Sequence, residues 1–369
     1  MSVGLCSGKS QHVIIVLMRK RLFIIYLVLT LAGCAAPVTD VASLPTPSPG
    51  LATMTPFKPQ VPTATIAPTF TPIPTETSLV LDIPYSIPAL RQRQYNGGEI
   101  TIVNEQDDSN ITAYTGFYYP SDGLNIYSRM SAPNAGGPYP VIIAIHGYSG
   151  RNEYANPNYS LREFDRFVRE GYIVVHPNMR NYPPSDDGDN LYRVGMAIDI
   201  LNLIETIKTQ AGQPGPFEYA DASRLGLWAH SMGGEIALRV LTISPDIDAA
   251  LLYAPLGGDT LENSKILHGL NPHPIPDEEL NTQQYLLNFI SPMYYYSNIN
   301  ANIRLFHGSG DSVVPVTVSE NTCNLLQGLS KPIECTFVPR QGHSFENPYS
   351  STFNQETFSF YKTYLKNAQ

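Results

Sequence analysis

The sequence has few charged residues and no long basic segment, and both absences narrow its possible functions. Charged residues make up 15% of the 369-residue chain, well under the ~25% of an average soluble domain. Lys+Arg number 23 against 32 Asp+Glu, the formal net charge is -9, and no Lys/Arg run exceeds three residues. An acidic chain without basic clusters argues against a nucleic-acid partner.

Cysteine is also scarce, with four residues at positions 6, 34, 323 and 335. Four widely spaced cysteines are too few for a disulfide scaffold or a zinc cluster. No group of His, Cys, Asp and Glu has the spacing of metal ligands, so we expect neither a metal nor a cofactor. The hydrophobic fraction of 43% excludes disorder for most of the chain, whose length allows one large domain or two small ones.

The amino-terminal segment has the features of an export signal rather than of a membrane span. A basic triplet at 19–21 precedes an apolar run of eleven residues at 22–32, which ends at Gly33 and Cys34. A mature transmembrane helix needs ~20 residues, whereas a secretory signal combines a basic start with an apolar stretch of ~7–15 residues. Met18 stands directly before the triplet, so the true start could be Met18.

The residues at 31–34, Leu-Ala-Gly-Cys, resemble the lipobox of bacterial lipoproteins. This resemblance implies that Cys34 carries lipid and becomes the first mature residue; the alternative is a buried cysteine at the end of a hydrophobic helix. Ten Pro and ten Thr follow among residues 37–78, a composition that cannot repay the entropy of ordering. We therefore predict a signal peptide at 1–33, a disordered tether at 34–79 and a folded body at 80–369, outside the cytoplasm and lipid-anchored to the membrane.

After residue 79 the apolar pattern alternates between strands and helices. The segment 140–146 is a continuous apolar run, which is typical of a strand buried on both faces of a parallel sheet. Further strands are predicted at 99–104, 111–119, 124–131, 172–176, 224–229, 249–253, 303–307 and 333–338, and helices at 161–170, 191–210, 232–243, 316–329 and 355–365. This alternation predicts an α/β fold with a mostly parallel, doubly wound sheet. Residues 256–301 interrupt it, and we expect them to form a small lid.

A predicted strand, a sharp turn and a predicted helix surround Ser231. The residues at 229–234, Ala-His-Ser-Met-Gly-Gly, match a nucleophile elbow in its required context, with Ala229 where glycine is commonest. Such a turn lifts Oγ of Ser231 above the sheet edge, requires a small Gly233 where the helix meets the strand, and aims the N–H of Met232 at a developing oxyanion. The alternative is a chance serine in a glycine-containing turn.

A nucleophilic serine needs a base that is oriented by a carboxylate. Asp311 lies in a turn after the predicted strand at 303–307, and His343 lies in a loop after the last predicted strand. The chain order Ser231, Asp311, His343 is the one expected when a nucleophile elbow comes first. Taken singly, Asp311 could be a helix cap and His343 an ordinary surface residue.

The loop after the first buried strand is expected to supply a second oxyanion donor, which we assign to the backbone N–H of Tyr148. The other histidines near these motifs are interpreted as structural. His146 directly precedes the turn, His230 is expected to point away from Ser231, and His307 is expected to pack at the end of its strand.

Five segments carry a resemblance to a known family. They are Tyr-Pro-Ser-Asp-Gly-Leu-Asn-Ile at 119–126, Tyr-Pro-Val-Ile-Ile-Ala-Ile-His-Gly at 139–147, Ala-His-Ser-Met-Gly-Gly at 229–234, His-Gly-Ser-Gly-Asp-Ser-Val-Val-Pro at 307–315 and Gly-His-Ser-Phe at 342–345. With them the chain, from about residue 117 onward, resembles the catalytic domain of the prolyl oligopeptidase (S9) family, within the α/β-hydrolase superfamily. The resemblance implies an α/β-hydrolase fold, with Ser231 as nucleophile, His343 as base and Asp311 as acid.

The resulting hypothesis is an extracytoplasmic serine hydrolase that works through an acyl-enzyme. The resemblance implies a small peptide as the leading substrate, although the roughly fifteen to forty residues between the predicted tether and the catalytic domain are too few for the propeller domain of oligopeptidases. A carboxylic ester is the close alternative, because dienelactone hydrolases and acyl esterases share most of these motifs. A catalytically silent binding lipoprotein is the alternative of another class, and the intact Ser, Asp and His argue against it. The membrane, reached through the N-terminal lipid, is the expected partner besides substrate.

We also predict a disulfide between Cys323 and Cys335. The first falls on the predicted helix at 316–329 and the second on the predicted strand at 333–338, so the two belong to adjacent elements. Export places the body where disulfides persist. Two reduced cysteines packed between helix and sheet are the alternative, because periodicity does not show which way Cys323 faces.

Overall fold

The computed structural model describes residues 85–108, 112–134, 136–151, 161–270 and 275–367. The predicted signal peptide, Cys34 and the predicted tether lie outside these ranges. Among the helices of the described ranges, none is both long and apolar enough to cross a membrane.

Nine strands of the described residues form one sheet. They are β1 (Thr101–Asp108), β2 (Thr112–Ser121), β3 (Leu124–Pro133), β4 (Tyr139–Ile145), β5 (Ile173–Pro177), β6 (Ala220–His230), β7 (Ile247–Tyr253), β8 (Asn302–Gly308) and β9 (Ile333–Val338). Their order across the sheet is β1-β2-β3-β5-β4-β6-β7-β8-β9. The pairs β1–β2, β2–β3 and β3–β5 are antiparallel. The pairs β5–β4, β4–β6, β6–β7, β7–β8 and β8–β9 are parallel. The prediction of a mostly parallel α/β sheet is confirmed.

Helices cover both faces of this sheet. They are α1 (Ile87–Gln92), α2 (Leu161–Arg169), α3 (Val194–Gln210), α4 (Met232–Ile243), α5 (Thr260–His268), α6 (Val316–Gly328) and α7 (Tyr349–Tyr361), which continues as a π turn at Lys362–Lys366. Strand β4 shows why the sheet needs a layer of helices on each face. Val141, Ile143 and Ile145 pack into one apolar cluster, whereas Ile142 and Ala144 pack into another. Because successive side chains of a strand point to opposite faces, the continuous apolar run at 140–146 is buried on both sides, as predicted.

Two helix starts differ from the sequence-based expectation, and one helix was not predicted. The predicted helix at 191–210 begins only at Val194, because Leu191–Arg193 is a 3-10 turn with positive φ at Tyr192 and Arg193. Helix α7 begins directly after Pro348, six residues earlier than predicted. Helix α1 was not predicted; the Ser86 hydroxyl caps it by accepting from the Ala89 N–H.

The interrupting segment at 256–301 lies between β7 and β8, as the sequence pattern indicated. It contains α5, single helical turns at Glu278–Asn281 and Gln284–Leu287, and a 3-10 helix at Pro292–Asn298. Residues 271–274 within it lie outside the described ranges. Because β7 and β8 run parallel to β6, the segment leaves and rejoins the fold next to the strand that precedes Ser231.

Candidate active site

Ser231 occupies a strained turn between β6 and α4. Its φ of 55° and ψ of -121° lie where non-glycine residues are rare and cost about 1–3 kcal/mol. Three backbone hydrogen bonds hold this conformation: the Ser231 N–H donates to Tyr253 O (3.0 Å), and Ser231 O accepts from Gly234 N (2.9 Å) and Leu256 N (2.9 Å). The turn at the end of β6 is therefore anchored to the end of β7, as a nucleophile elbow requires.

Close packing explains the two glycines that follow. A Cβ on Gly233 would lie 2.4 Å from Ile145 O and 2.9 Å from His146 O, at the end of β4. A Cβ on Gly234 would lie 2.2 Å from the Pro255 side chain. The expectation that Gly233 must be small is confirmed, and the obstacle is the backbone of β4 rather than a side chain that could move.

We therefore expect Gly233→Ala to destabilise the fold by about 1–3 kcal/mol or more, since the added methyl meets backbone. Urea unfolding of the purified domain measures the loss. Gly328→Ala is the matched control, because Gly328 ends α6 and nothing lies within 4 Å of its Cβ position; a helical alanine there is expected to be neutral or slightly stabilising. Equal stability of the two variants would contradict the packing argument.

The structure brings Asp311 and His343 together, although 32 positions separate them in the chain. His343 Nδ1 lies 2.8 Å from Asp311 Oδ2, and a carboxylate can only accept, so Nδ1 carries the proton of this bond. Asp311 Oδ1 accepts from the N–H groups of Val313 (2.8 Å) and Val314 (3.0 Å). Burial raises the pKa of the Asp311 carboxyl, but hydrogen bonds from His307, His343 and Val313 outweigh it, and the pKa lies well below its ordinary range.

His307 is a contact of Asp311 that the sequence-based interpretation did not anticipate. Its side chain is fully buried, and its Nε2 lies 3.1 Å from Asp311 Oδ2 and 3.0 Å from Val314 O. Its Nδ1 lies 2.6 Å from the Ser319 hydroxyl. His307 is four positions before Asp311 on the same strand-to-turn segment, and that spacing was the available signal.

The His230 ring packs against the His343 ring and also contacts the backbone of the loop that carries His343. Its Nε2 is 3.2 Å from His343 O, and the two rings are 4.8 Å apart. The ring also stacks on Tyr253 at 4.7 Å, and the Tyr253 hydroxyl accepts from the Phe345 N–H. Burial and the neighbouring His343 lower the pKa of His230 to about 3, so its ring stays neutral. The residue before Ser231 thus holds the loop that carries His343.

The two residues assigned as oxyanion donors, Met232 and Tyr148, line one cavity of about 450 Å³. Met232 begins α4, where the helix dipole favours negative charge. Tyr148 follows β4, and His146 keeps this loop in place through contacts of its ring nitrogens with Gly147 O (2.8 Å) and Asn178 O (2.9 Å). Burial lowers the pKa of His146, which agrees with the structural role expected for it.

The segment at 256–301 supplies part of the cavity wall through Leu267, Ile275, Pro276 and Glu279. The loop before α3 supplies further lining residues, among them Asn181, Leu191 and Arg193. Apolar and polar side chains both line the cavity, so it is suited to an organic acyl group beside the oxyanion donors. Among the described residues, no group of three or more His, Cys, Asp or Glu side chains is arranged to hold a metal ion.

Cys323 on α6 and Cys335 on β9 form a disulfide, with Cα atoms 6.5 Å apart. The bridge joins the two elements that lie between Asp311 and His343 in the chain. The other cysteine of interest, Cys34, lies outside the described ranges.

The double variant Cys323→Ala/Cys335→Ala is expected to lose about 3 kcal/mol of unfolding free energy, because a loop near this size gains that much from closure in the chain-entropy model. Urea unfolding under non-reducing conditions measures it. Reducing agent is expected to lower wild-type stability by a similar amount and to leave the variant unchanged. Two titratable thiols at these positions in unreduced, unfolded protein would contradict the bridge.

The fold together with the serine turn, the acid–base contact and the adjoining cavity defines a serine hydrolase of the α/β-hydrolase fold. More particularly, the sequence matches the prolyl oligopeptidase family over residues 157–368, and the chain belongs to that family. The family resemblance predicted from the motifs is confirmed.

Known relatives include both esterases and peptidases. A putative carboxymethylenebutenolidase of Methylorubrum extorquens is 20% identical over 243 residues, which cover 64% of this chain and 72% of that protein. The structure of acetyl xylan esterase 1 from a Thermoanaerobacterium species is 16% identical with a TM-score of 0.57, covering 79% of this chain and 94% of that one. The acylaminoacyl peptidase of Pyrococcus horikoshii is 19% identical with a TM-score of 0.54, covering 75% of this chain and 51% of that one. At these identities the structural likeness concerns the fold alone.

Proposed function

We propose that this chain hydrolyses acyl bonds with Ser231 as nucleophile, His343 as general base and Asp311 as the acid that orients the base. The observation that carries the proposal is the 2.8 Å contact between His343 Nδ1 and Asp311 Oδ2, in a loop held by the residue that precedes the strained serine. With Nδ1 committed to Asp311, Nε2 of His343 remains to accept the proton of the serine hydroxyl.

The proposed reaction has two balanced halves. Oγ of Ser231 bonds to the acyl carbon as its proton moves to His343, and the carbonyl electrons move onto oxygen, which the N–H groups of Met232 and Tyr148 stabilise. The tetrahedral intermediate expels the leaving group, which takes the proton from His343 and leaves an acyl-enzyme. Water then repeats the sequence, releasing the acid and restoring Ser231.

We propose an uncharged carboxylic ester as the substrate class. Glu279, the buried carboxylate of the cavity wall, accepts from Tyr192 N (2.8 Å), Arg193 Nη1 (3.0 Å) and Ser264 Oγ (2.8 Å). Its charge is therefore already balanced within the protein and is not offered to a substrate ammonium group. The other carboxylate among the described lining residues, Asp189, is exposed to solvent.

A peptide is the second candidate, and the match to a peptidase family over residues 157–368 favours it. Amide hydrolysis needs more help for its leaving group than ester hydrolysis does, and both run through the same residues. The choice therefore depends on what the cavity accepts rather than on the catalytic groups.

Labelling with a fluorophosphonate probe tests the reaction type, and a matched substrate set tests the class. We expect wild-type protein to be labelled and Ser231→Ala to remain unlabelled. Esters and amides that share one acyl group, each with and without a free ammonium, then separate the two candidates. Faster hydrolysis of the neutral ester supports our proposal, whereas preference for an amide with a free ammonium would replace it with an aminopeptidase.

We further propose that the protein is exported and lipid-anchored through Cys34. The motif at 31–34 and the Pro/Thr-rich tether support this location, and the Cys323–Cys335 disulfide also supports it, because disulfides persist in oxidising compartments. Mass spectrometry of the mature amino terminus is expected to find a lipid-modified Cys34. An unmodified terminus at another residue would contradict the proposal, and Cys34→Ser is the control that should lose membrane association.

A further inference from the structure

Two consecutive residues before α3 have an unusual backbone. Tyr192 has a φ of 51° and Arg193 a φ of 61°, in the left-handed region that residues other than glycine seldom occupy. Such strain persists only where the surroundings determine the conformation. Here the Tyr192 N–H donates to Glu279 Oε1 (2.8 Å), and the Arg193 side chain is almost completely buried.

The Arg193 guanidinium joins two parts of the site that are distant in the chain. Its Nε donates to Glu235 Oε2 (2.6 Å), which lies in the first turn of α4. Its Nη1 donates to Glu279 Oε2 (3.0 Å) and its Nη2 to Ser264 Oγ (3.0 Å), both in the segment at 256–301. One side chain thus connects the helix that begins at Met232 with the segment that forms the cavity wall.

A second arginine balances the charge of this cluster. Arg239 Nη2 donates to Glu235 Oε1 (3.0 Å), and Arg239 Nε donates to Ile290 O (3.2 Å). The buried set of Arg193, Arg239, Glu235 and Glu279 therefore has two positive and two negative groups. Breaking one buried pair leaves an uncompensated charge, so the wall and α4 are expected to keep the relative position that satisfies all four.

Arg193 and Glu279 also line the cavity beside Met232 and Tyr148. We propose that Arg193 is a positioning residue of this hydrolase, which holds the 256–301 wall against α4 and thereby sets the size of acyl group that the site accepts. The inference rests on the proposed function, because it concerns the same cavity. Arg193 acts through Glu279 on the wall, and through Glu235 on the helix that presents the Met232 N–H.

The test uses Glu279→Gln, which keeps the side-chain shape and removes the charge that Arg193 binds, and Arg193→Lys, which keeps the charge but replaces three separate guanidinium nitrogens, each on its own partner, with a single nitrogen. kcat and KM are measured for p-nitrophenyl acetate, butyrate and octanoate. In both variants we expect the ratio of kcat/KM for octanoate to that for acetate to rise about tenfold or more over wild type. Arg193→Lys is also expected to lower kcat for acetate, since Glu235 loses one of its two arginine partners and keeps only Arg239.

Arg304→Met is the matched control, because Arg304 is a buried arginine that pairs with Glu356 (2.6 Å) away from the cavity. It is expected to lower Tm without changing the ratio between the esters. A merely structural role of Arg193 would lower all three rates by one factor in step with Tm, and that result would overturn the inference. Wild-type protein that fails to react with a fluorophosphonate would instead overturn the proposed function, so the two failures are distinct.

Discussion

Ser231→Ala is expected to lower kcat/KM by a factor on the order of 10⁴–10⁶ while the protein stays folded. The hydroxyl supplies the atom that bonds to the acyl carbon, and alanine cannot replace it. The turn itself is held by backbone hydrogen bonds to Tyr253, Gly234 and Leu256, so removal of Oγ leaves its geometry unchanged. Ester hydrolysis measures activity, and circular dichroism measures folding.

His343→Ala is expected to cost a similar factor, and the double variant is expected to be little worse than either single one. The reason is that nucleophile and base act in the same step, so removal of one makes the other ineffective. Ser359→Ala, an exposed serine on α7, is the control and is expected to retain wild-type activity. Near wild-type turnover by Ser231→Ala would refute the assignment.

Asp311→Asn is expected to lower kcat by ~10⁴-fold. The Asp311 carboxylate accepts from two backbone amides on one oxygen and lies 2.8 Å from His343 Nδ1 on the other. With its amide oxygen toward the two backbone N–H groups, an asparagine turns its NH₂ group toward His343 Nδ1. Nδ1 must then accept a hydrogen bond, so the proton of the neutral ring lies on Nε2, and Nε2 cannot take the serine proton. Asp246→Asn, at a surface pair with Lys208, is the control. A loss of less than about tenfold would show that Asp311 does not orient the base.

The same carboxylate makes stability depend on pH in a defined direction. The folded pKa of Asp311 lies below the ordinary value of 3.8, so its ionised form is favoured in the folded state. Its contribution is fully present above about pH 5 and is lost as the pH falls through the lowered pKa. We expect the difference in urea midpoint between wild type and Asp311→Asn to shrink progressively as the pH falls below about 5.

Much of the site could be predicted because its chemistry lies at the ends of strands. Ser231, Asp311 and His343 each follow an apolar run with a recognisable turn, and parallel strands bring such turns to one edge. The short apolar runs and their turns also predicted the sheet. What the pattern could not supply was the antiparallel pairing of β3 with β5, because the order of strands in a sheet depends on contacts between distant segments.

The helix boundaries could likewise be predicted only where the local sequence determines them. The serine turn and the mostly apolar run after it placed α4 at its observed bounds, Met232–Ile243, and all twelve residues of this helix are buried. The local sequence did not place the start of α3, since the positive φ values of Tyr192 and Arg193 are imposed by Glu279 and Glu235. No local preference of tyrosine or arginine favours that conformation.

The sequence by itself therefore determined the fold class and the three candidate catalytic residues. It also determined that Gly233 has to be small where α4 packs against β4. Only the tertiary structure decided that His230 holds the loop of His343 and that Arg193 joins the cavity wall to α4. The physical reason is distance along the chain: Arg193 reaches Glu235 and Glu279 across 42 and 86 positions. Spacing in a sequence reports neighbours on one strand or helix, whereas a buried charge chooses its partners from the whole fold.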